Sequence, residues 1–162
     1  MTEWLGYLEH ATPELLGVYT ANPGKGGYTI FGELTGMQGM PWCTTFVFAV
    51  HPAKERLGKP CPGVVTLARR MILRGRWRKR GYTPRYGDLI FLRNGPSGLI
   101  EHCGIVEDAD GEYVASIDGN TVDPSGVFRP EQGGAVARRV RRRDDPKIVG
   151  YAEIKTGGII NV

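Results

Sequence analysis

The division of the second half of the chain into five short β-like runs is the feature that most constrains its fold. Each run is bounded by glycine, proline or aspartate, which is typical of strands. The runs cover residues 87–92, 101–107, 112–118, 135–140 and 147–154. Helical patterns lie in the first half, and helices followed by strands favour an antiparallel sheet with helices on one face. We therefore predict an α+β domain in which N-terminal helices pack on a sheet of five to six antiparallel strands.

Three segments of the first half have helical signals. The triplet Thr12-Pro13-Glu14 supplies an N-cap, a first-turn proline and a first-turn acid, which predicts a helix to about residue 19. Apolar residues at helical spacing predict a second helix over residues 42–51 and a third helix that ends at Gly75. The glycine-rich residues 21–41 and the basic segment after Gly75 are interpreted as loops.

The length of 162 residues is that of one domain. We expect a single domain over residues 1–162, in which residues 1–27 form a helical and loop lead-in and residues 28–155 form the core. Apolar residues make up 41% and charged residues 23%, which favours a globular chain over a disordered one. No apolar run approaches the ~20 residues of a membrane span, and the N-terminal sequence lacks the features of a signal peptide.

Cys43 is a candidate nucleophile. The chain has three cysteines, an odd count that favours a reduced protein when no signal peptide is present. Cys43 stands at the predicted start of the second helix, where unpaired backbone N–H groups and the helix dipole lower the pKa of a thiol. The same N–H groups are able to stabilise an oxyanion. The alternative is that Cys43 is an apolar core residue.

The predicted hairpin brings a histidine and a carboxylate together. A three-residue turn over 109–111, with glycine last, would pair His102 directly with Asp118, with their Cβ atoms ~5 Å apart. A slip of one residue would place Asp118 on the other face of the sheet. A thiolate, an imidazole and an orienting carboxylate form a nucleophilic triad. Asn120 would support the histidine or position substrate; the alternative is that residues 118–120 are a polar turn.

Four short motifs follow one another along the chain: residues 41–47 are PWCTTFV, 84–91 are PRYGDLIF, 101–106 are EHCGIV and 116–121 are SIDGNT. They resemble the PWCAxFV, PxxGDxxFF, DHVGIV and TIEGNT motifs of CHAP domains, the cysteine- and histidine-dependent amidohydrolases and peptidases. The resemblance covers about residues 28–155. It implies a papain-like α+β fold and cleavage of an amide bond in bacterial peptidoglycan, as an endopeptidase or an N-acetylmuramoyl-L-alanine amidase, through an acyl-enzyme.

By this resemblance Cys43 is the nucleophile, His102 is the base, and Asp118 and Asn120 are the orienting positions. The family usually has glutamate where this chain has Asp118. The shorter carboxylate is expected to lie farther from the imidazole, so that Asn120 takes more of the orienting role. Some relatives bind calcium through an acidic loop before the cysteine. Here Glu33 is the one acid in residues 21–42, so we expect no metal site and no cofactor.

Three further residues are candidates for substrate binding. Tyr28 and Trp42 are expected to line the cleft, and the Gln38 amide is expected to donate a hydrogen bond to an oxyanion. The alternatives are a core position for Trp42 and a loop position for Gln38. A zinc site is not expected, because the cysteines and His102 lack the close pairwise spacing of zinc ligands.

The net charge of +4 is concentrated in two basic clusters. The cluster Arg69–Arg85 holds eight basic residues and no acid, and the cluster Arg138–Arg143 holds five. Such clusters attract polyanions, and the preferred partners, besides peptidoglycan itself, are anionic wall polymers; a solvated surface is the alternative. Nucleic acid is not favoured, because no nucleic-acid-binding motif accompanies Trp77 and Tyr82, although both are able to stack on bases.

Two other functions compete with wall hydrolysis. A papain-like amidase or acyl transferase on a non-wall peptide would use the same triad, because only the group that resolves the acyl-enzyme differs. A basic nucleic-acid-binding module is the alternative from another class. We expect a monomer made in the cytoplasm that acts on the wall after release, as a phage lysin or a delivered toxin, or a domain excised from a secreted protein.

Overall fold

The helices of this protein cover one face of an antiparallel sheet. The computed structural model describes residues 1–93, 95, 98–122, 126 and 133–155. Within these ranges the α-helices are α1 (Ile30–Thr35), α2 (Cys43–Val50) and α3 (Val64–Leu73), and two short 3-10 helices cover Thr2–Trp4 and Lys54–Arg56. The strands are β1 (Trp77–Lys79), β2 (Leu89–Leu92), β3 (His102–Ala109), β4 (Tyr113–Thr121), β5 (Ala135–Arg142) and β6 (Ile148–Ala152), in the spatial order β1-β6-β2-β3-β4-β5. The predicted α+β class, with a sheet of antiparallel strands, is confirmed.

Both faces of the sheet are apolar at its centre. All four residues of β2 are buried, which agrees with its unbroken apolar sequence. Leu89 and Phe91 belong to the main core beneath the helices. Ile90 and Leu92 belong to a smaller cluster on the opposite face. The strands at the centre are therefore held from both sides, and their ends provide fixed positions for side chains.

Helix α2 lies close to the sheet because a glycine leaves room for it. Cys43 through Phe48 are buried, and α2 packs on β3 and β4. A side chain at Gly119 of β4 would overlap Phe46 and would come within 2.9 Å of the Trp42 ring. The close approach of β4 to the start of α2 thus occurs next to Asp118 and Asn120.

The β3–β4 hairpin does not have the predicted register, because its turn differs. Asp110 opens the turn, and its Oδ1 accepts hydrogen bonds from the main-chain N–H groups of Glu112 and Tyr113, both at 2.7 Å. Next to the turn, Ala109 pairs with Val114, a shift of three residues from the prediction. An odd shift would place Asp118 on the wrong face of the sheet.

A β-bulge in the hairpin returns Asp118 to the face of the sheet that His102 occupies. The register changes between Val106 and Asp108, and beyond this point Val106 pairs with Ser116. The total shift is then two residues, which keeps His102 and Asp118 on one face. Continuing this register places Asp118 opposite Gly104 rather than opposite His102. The prediction of direct pairing was therefore wrong, whereas the prediction of a shared face is confirmed.

The predicted helix over residues 12–19 is a series of turns. Leu15 has a positive φ of 55°, which interrupts any helix at this residue. Of residues 11–20, Leu16 alone is buried. A helix here would have had no apolar stripe to bury against the core, and its local end signals did not outweigh this lack of packing.

Two segments interpreted as loops contain short regular elements. Helix α1 lies within residues 21–41, where the Thr29 side chain accepts a hydrogen bond from the Gly32 N–H at 2.9 Å and Gly36 takes a left-handed conformation at the C-terminal end. Strand β1 lies in the basic segment and pairs with β6. Elements of six and three residues are too short to show a periodic pattern. No helix in the described ranges is long and apolar enough to cross a lipid bilayer.

The N-terminal segment packs on the edge of β5. The main-chain N–H of Glu9 donates to the Gly134 carbonyl at 2.8 Å, and Tyr7 and Val136 are joined by a second main-chain hydrogen bond of 2.9 Å. Tyr7 is fully buried in the main core. The Glu9 carboxylate accepts hydrogen bonds from the Trp42 indole and from the N–H groups of Gly27 and Gly134. The segment is thereby tied to the residues that precede Cys43.

We expect the Gly119→Ala variant to be less stable than the wild type by about 1–3 kcal/mol, because the added methyl group would overlap Phe46 in a packed core. Thermal or denaturant unfolding measures the change. Gly111→Ala is the matched control, since a Cβ atom at Gly111 meets nothing within 4 Å. Equal unfolding free energies for the two variants would contradict the close approach of α2 and β4.

Candidate active site

The Cys43 side chain lies at the first residue of α2, as predicted. Trp42 is the N-cap residue and makes no side-chain capping bond, so the first N–H groups of the helix have no side-chain acceptor at the cap. Cys43 is 5% exposed. The side chain and the main chain of Cys103 and the side chain of His102 interact with this sulfur and favour its thiolate form. The thiol therefore contacts two adjacent residues of β3.

The His102 ring connects the thiol to the buried carboxylate. His102 is the first residue of β3, and its Nε2 lies 3.0 Å from Oδ2 of Asp118. Because Asp118 is ionised and accepts only, Nε2 donates in this hydrogen bond. The other ring nitrogen, Nδ1, is then the one available to interact with the Cys43 sulfur. The structure thus brings Cys43, His102 and Asp118 together in one connected chain.

The Asp118 carboxylate is fully buried and has a hydrogen-bond donor on each oxygen. The Ser116 hydroxyl donates to Oδ1 at 2.6 Å. Oδ2 accepts from His102 and also from Nη2 of Arg141 at 2.7 Å. A side chain at Gly104 would overlap this carboxylate, so the glycine of the EHCGIV motif leaves the space that Asp118 occupies.

These contacts shift the pKa values of the site in opposite directions. Hydrogen bonds from Cys103 and from His102 hold the pKa of the Cys43 thiol well below its usual value, although burial opposes this. Burial alone would lower the pKa of His102, but the hydrogen bonds and charges of Asp118 and Cys43 raise it to about 9. Burial would raise the pKa of Asp118, but its bond to His102 and the charge of Arg141 keep it low. The favoured state is a thiolate beside an imidazolium.

Asn120 lies next to the triad without replacing Asp118. In the described residues, the carboxylate that meets the His102 ring is that of Asp118, so the shorter side chain reaches the imidazole. Asn120 has a left-handed backbone, with φ of 56°, where β4 bulges away from β5. It lines two grooves, one of about 700 Å³ with His102 and Arg139, and one of about 280 Å³ with Gly27 and Trp42. This position suits contact with a bound substrate.

The three candidate substrate-binding residues have different surroundings. Trp42 is buried, donates to Glu9 at 3.0 Å and stacks on Phe31, so it is mainly a core residue with one edge on the smaller groove. Gln38 accepts from the Thr29 N–H and donates to the Thr29 carbonyl, both at 2.9 Å, and so braces the start of α1. Tyr28 is half-buried and its main chain bridges to that of His10.

Three residues that contact the triad were not among the predicted site residues: Cys103, Ser116 and Arg141. Cys103 follows His102 directly, and alternation placed it on the opposite face of β3, away from the histidine. Arg141 was counted among the exposed charges of a basic cluster. Its contact with Asp118 depends on the pairing of β4 with β5, for which the sequence contains no local signal. In the described residues no group of three or more His, Cys, Asp or Glu side chains is arranged to hold a metal ion.

We expect Cys103→Ala to raise the pKa of Cys43, because the variant lacks the thiol that favours the Cys43 thiolate in the wild type. The rate of Cys43 alkylation would then rise at higher pH than in the wild type. The measurement uses a Cys61→Ala background, so that Cys43 is the reactive thiol observed. Cys103→Ser keeps a donor and should retain most of the wild-type profile. Coincident profiles for Cys103→Ala and the wild type would show that this hydrogen bond has no effect.

Comparison with known proteins agrees with this geometry. A family model for the CHAP domain matches residues 35–120, which is more than half of the chain and includes Cys43, His102, Asp118 and Asn120. A search of curated proteins found no match. The chain therefore belongs to the CHAP domain family, whose members are cysteine- and histidine-dependent amidohydrolases or peptidases of the peptidoglycan-hydrolase type.

Proposed function

We propose that this domain cleaves an amide bond of bacterial peptidoglycan with Cys43 as nucleophile, His102 as acid and base, and Asp118 as the orienting group. The observation that carries the proposal is the connected chain from the Cys43 sulfur through the His102 ring to the buried Asp118 carboxylate. It supplies the nucleophile, the proton carrier and the orienting anion that thiol-dependent amide hydrolysis requires. The family membership supports peptidoglycan as the substrate.

In the first half of the reaction the Cys43 thiolate attacks the carbonyl carbon of the substrate. The tetrahedral intermediate carries an oxyanion, and the N–H groups at the start of α2 are suited to stabilise it. The His102 imidazolium then gives its proton to the leaving nitrogen as the carbon–nitrogen bond breaks. An amine departs, and a thioester to Cys43 remains.

In the second half His102 acts as a base. It removes a proton from water, which attacks the thioester carbonyl, and the Cys43 sulfur leaves as a thiolate. Asp118 keeps the imidazole in the tautomer with hydrogen on Nε2, which directs Nδ1 toward the reacting groups. The reactive pair exists above the lowered pKa of Cys43 and is lost as pH rises through about 9, where His102 gives up its proton.

The same steps describe both wall chemistries and the competing transfer reaction. An amidase would cleave the bond to the lactyl group of muramic acid, and an endopeptidase would cleave within the stem or bridge peptides. An acyl transferase on another peptide would use an acceptor other than water in the second half. Hydrolysis is favoured because the family consists of amidohydrolases and peptidases. Action on the wall after release from the cytoplasm, by lysis or delivery, stays a prediction.

Of the two basic clusters, we propose that the first attracts anionic wall polymers. Arg69, Lys79, Arg80 and Arg85 are exposed, and none of them forms an ion pair in the described part of the chain. In the second cluster, by contrast, Arg138 pairs with Glu107, and Arg142 pairs with Glu112 and Asp144. Arg139 and Arg143 form no ion pair among the described residues, but they are half-buried and donate to main-chain carbonyls. The larger group of exposed, unpaired charges therefore lies around residues 69–85.

The aromatic residues of this surface do not favour nucleic acid. The Trp77 ring is half-buried and packs on Phe91, with 5.2 Å between ring centroids. The Tyr82 hydroxyl donates to Asp88 at 2.9 Å, and its ring packs on Tyr151. Stacking on bases needs an exposed ring face, and both rings are already packed within the protein. The cluster is better suited to a flexible polyanion that is held by charge.

We expect the wild type to release new termini from purified peptidoglycan and Cys43→Ala to release none, because the thiolate is the attacking group. Mass spectrometry identifies the products: free lactyl groups indicate an amidase, and new peptide amines indicate an endopeptidase. Cys61→Ala is the control, since Cys61 contacts the Gly63 carbonyl rather than the triad. Product release by a folded Cys43→Ala variant would refute the proposed chemistry.

We expect the double variant Arg69→Gln, Arg80→Gln to bind isolated cell walls more weakly at low salt, with the difference vanishing at high salt, because exposed charges are screened. Co-sedimentation with walls measures the bound fraction. The control, Arg138→Gln with Arg142→Gln, removes the same charge from residues that are already paired. An equal loss in both double variants would mean that total charge, rather than the first cluster, determines wall binding.

A further inference from the structure

We infer that Arg141 is a positioning residue of the active site, which fixes the Asp118 carboxylate in the plane that His102 requires. The inference rests on the proposed thiolate mechanism and extends it by a fourth member. The connected chain then runs from Arg141 through Asp118 and His102 to Cys43, with one member from each of β5, β4, β3 and α2.

The guanidinium holds one carboxylate oxygen directly and the other through the Ser116 hydroxyl. Nη2 of Arg141 donates to Asp118 Oδ2 at 2.7 Å, and Nη1 donates to the Ser116 hydroxyl oxygen at 2.9 Å. Ser116 in turn donates to Asp118 Oδ1 at 2.6 Å. Guanidinium, hydroxyl and carboxylate form a closed ring of hydrogen bonds. Because both carboxylate oxygens belong to this ring, the carboxylate plane cannot rotate without breaking a bond.

Burial distinguishes the ion pair of Arg141 from the other ion pairs of this cluster. Asp118 is fully buried and the Arg141 side chain is 15% exposed, whereas the other ion-paired arginines of the cluster, Arg138 and Arg142, are about half exposed. Charged hydrogen bonds that are removed from solvent are stronger and better ordered than exposed ones. Of the ion-paired arginines in this cluster, Arg141 is the one that faces into the site.

The charge of Arg141 explains why Asp118 stays ionised through the reaction. The ionisable groups next to the Asp118 carboxylate are His102 and Arg141. The His102 ring also faces Cys43, which in turn faces Cys103. When His102 is neutral, a buried carboxylate without another cation would tend to take up a proton. Arg141 remains charged in both states of the histidine. Asp118 therefore remains an acceptor, and the proton moves between His102 and the reacting groups.

The Asp118 carboxylate is held from both neighbouring strands. It accepts hydrogen bonds from His102 of β3 and from Arg141 of β5. Gly104 on one side leaves the space, and a side chain there would overlap Asp118. Arg141 and Ser116 supply the contacts that turn Oδ2 toward His102 across the diagonal register.

The test compares Arg141→Gln and Arg141→Lys with Arg138→Gln, which removes an exposed arginine from the same strand. We expect Arg141→Gln to lower kcat by about 100-fold, as small misplacements of reacting groups do, with KM within about twofold. A lysine makes a point contact rather than a planar fork, so Arg141→Lys should recover part of the activity, to about tenfold below the wild type, the equivalent of one charged hydrogen bond. Arg138→Gln should match the wild type within about twofold.

A second readout separates positioning from general stability. The pH dependence of Cys43 alkylation, measured on folded protein in a Cys61→Ala background, reports the thiolate–imidazolium pair without turnover. We expect this profile to move to higher pH in Arg141→Gln, because a mobile carboxylate stabilises the imidazolium less. A purely structural role would change the unfolding midpoint and leave the profile of the folded fraction unmoved.

Each outcome decides the inference. A folded Arg141→Gln variant with the kcat and alkylation profile of Arg138→Gln overturns it. If Arg141→Gln does not fold, Arg141→Lys decides, and a kcat equal to that of Arg138→Gln overturns the inference. A wild type that releases no wall products, but whose alkylation profile responds to Arg141→Gln, would refute the proposed function and uphold the positioning role.

Discussion

A buried negative charge is the interaction on which this active site depends. Asp118 is excluded from solvent and receives hydrogen bonds from His102, Ser116 and Arg141. An ionised group in such a place is strongly destabilising unless each of its acceptor sites is occupied. The partners come from β3, β4 and β5, so pairing the charge fixes the relative positions of three strands. The same bonds that make the carboxylate tolerable also hold the histidine in place.

The nucleophile depends on how α2 meets this end of the sheet. Cys43 contacts both His102 and Cys103, which are consecutive residues whose side chains leave β3 on opposite faces. A helix that packed farther from the sheet would lose both contacts. Gly119 allows the close approach, and burial of Phe46 in the main core maintains it. The lowered pKa of the thiol therefore depends on core packing, which brings Cys103 and His102 to Cys43.

The arginines illustrate how placement determines what a charge does. Arg138 and Arg141 are three positions apart on β5, yet one forms an exposed ion pair with Glu107 and the other holds a buried carboxylate. Strand alternation separates them onto different faces of the sheet. Between residues 69 and 85, Arg78 pairs with Glu153, whereas Arg69 and Arg80 are exposed and form no ion pair in the described part of the chain. Counting charges along the chain could not separate these cases.

The sequence by itself determined the class of fold, the α2 helix, the strands of the second half and the motif residues of the site, because periodicity, end signals and short motifs involve neighbours along the chain. The tertiary structure decided the hairpin register, the bulge that returned Asp118 to the face of His102, the core position of Trp42 and the partners Arg141 and Cys103. It also replaced the helix expected after Thr12 with turns. Each of these outcomes depends on contacts between residues far apart in the chain, and local patterns contain no information about them.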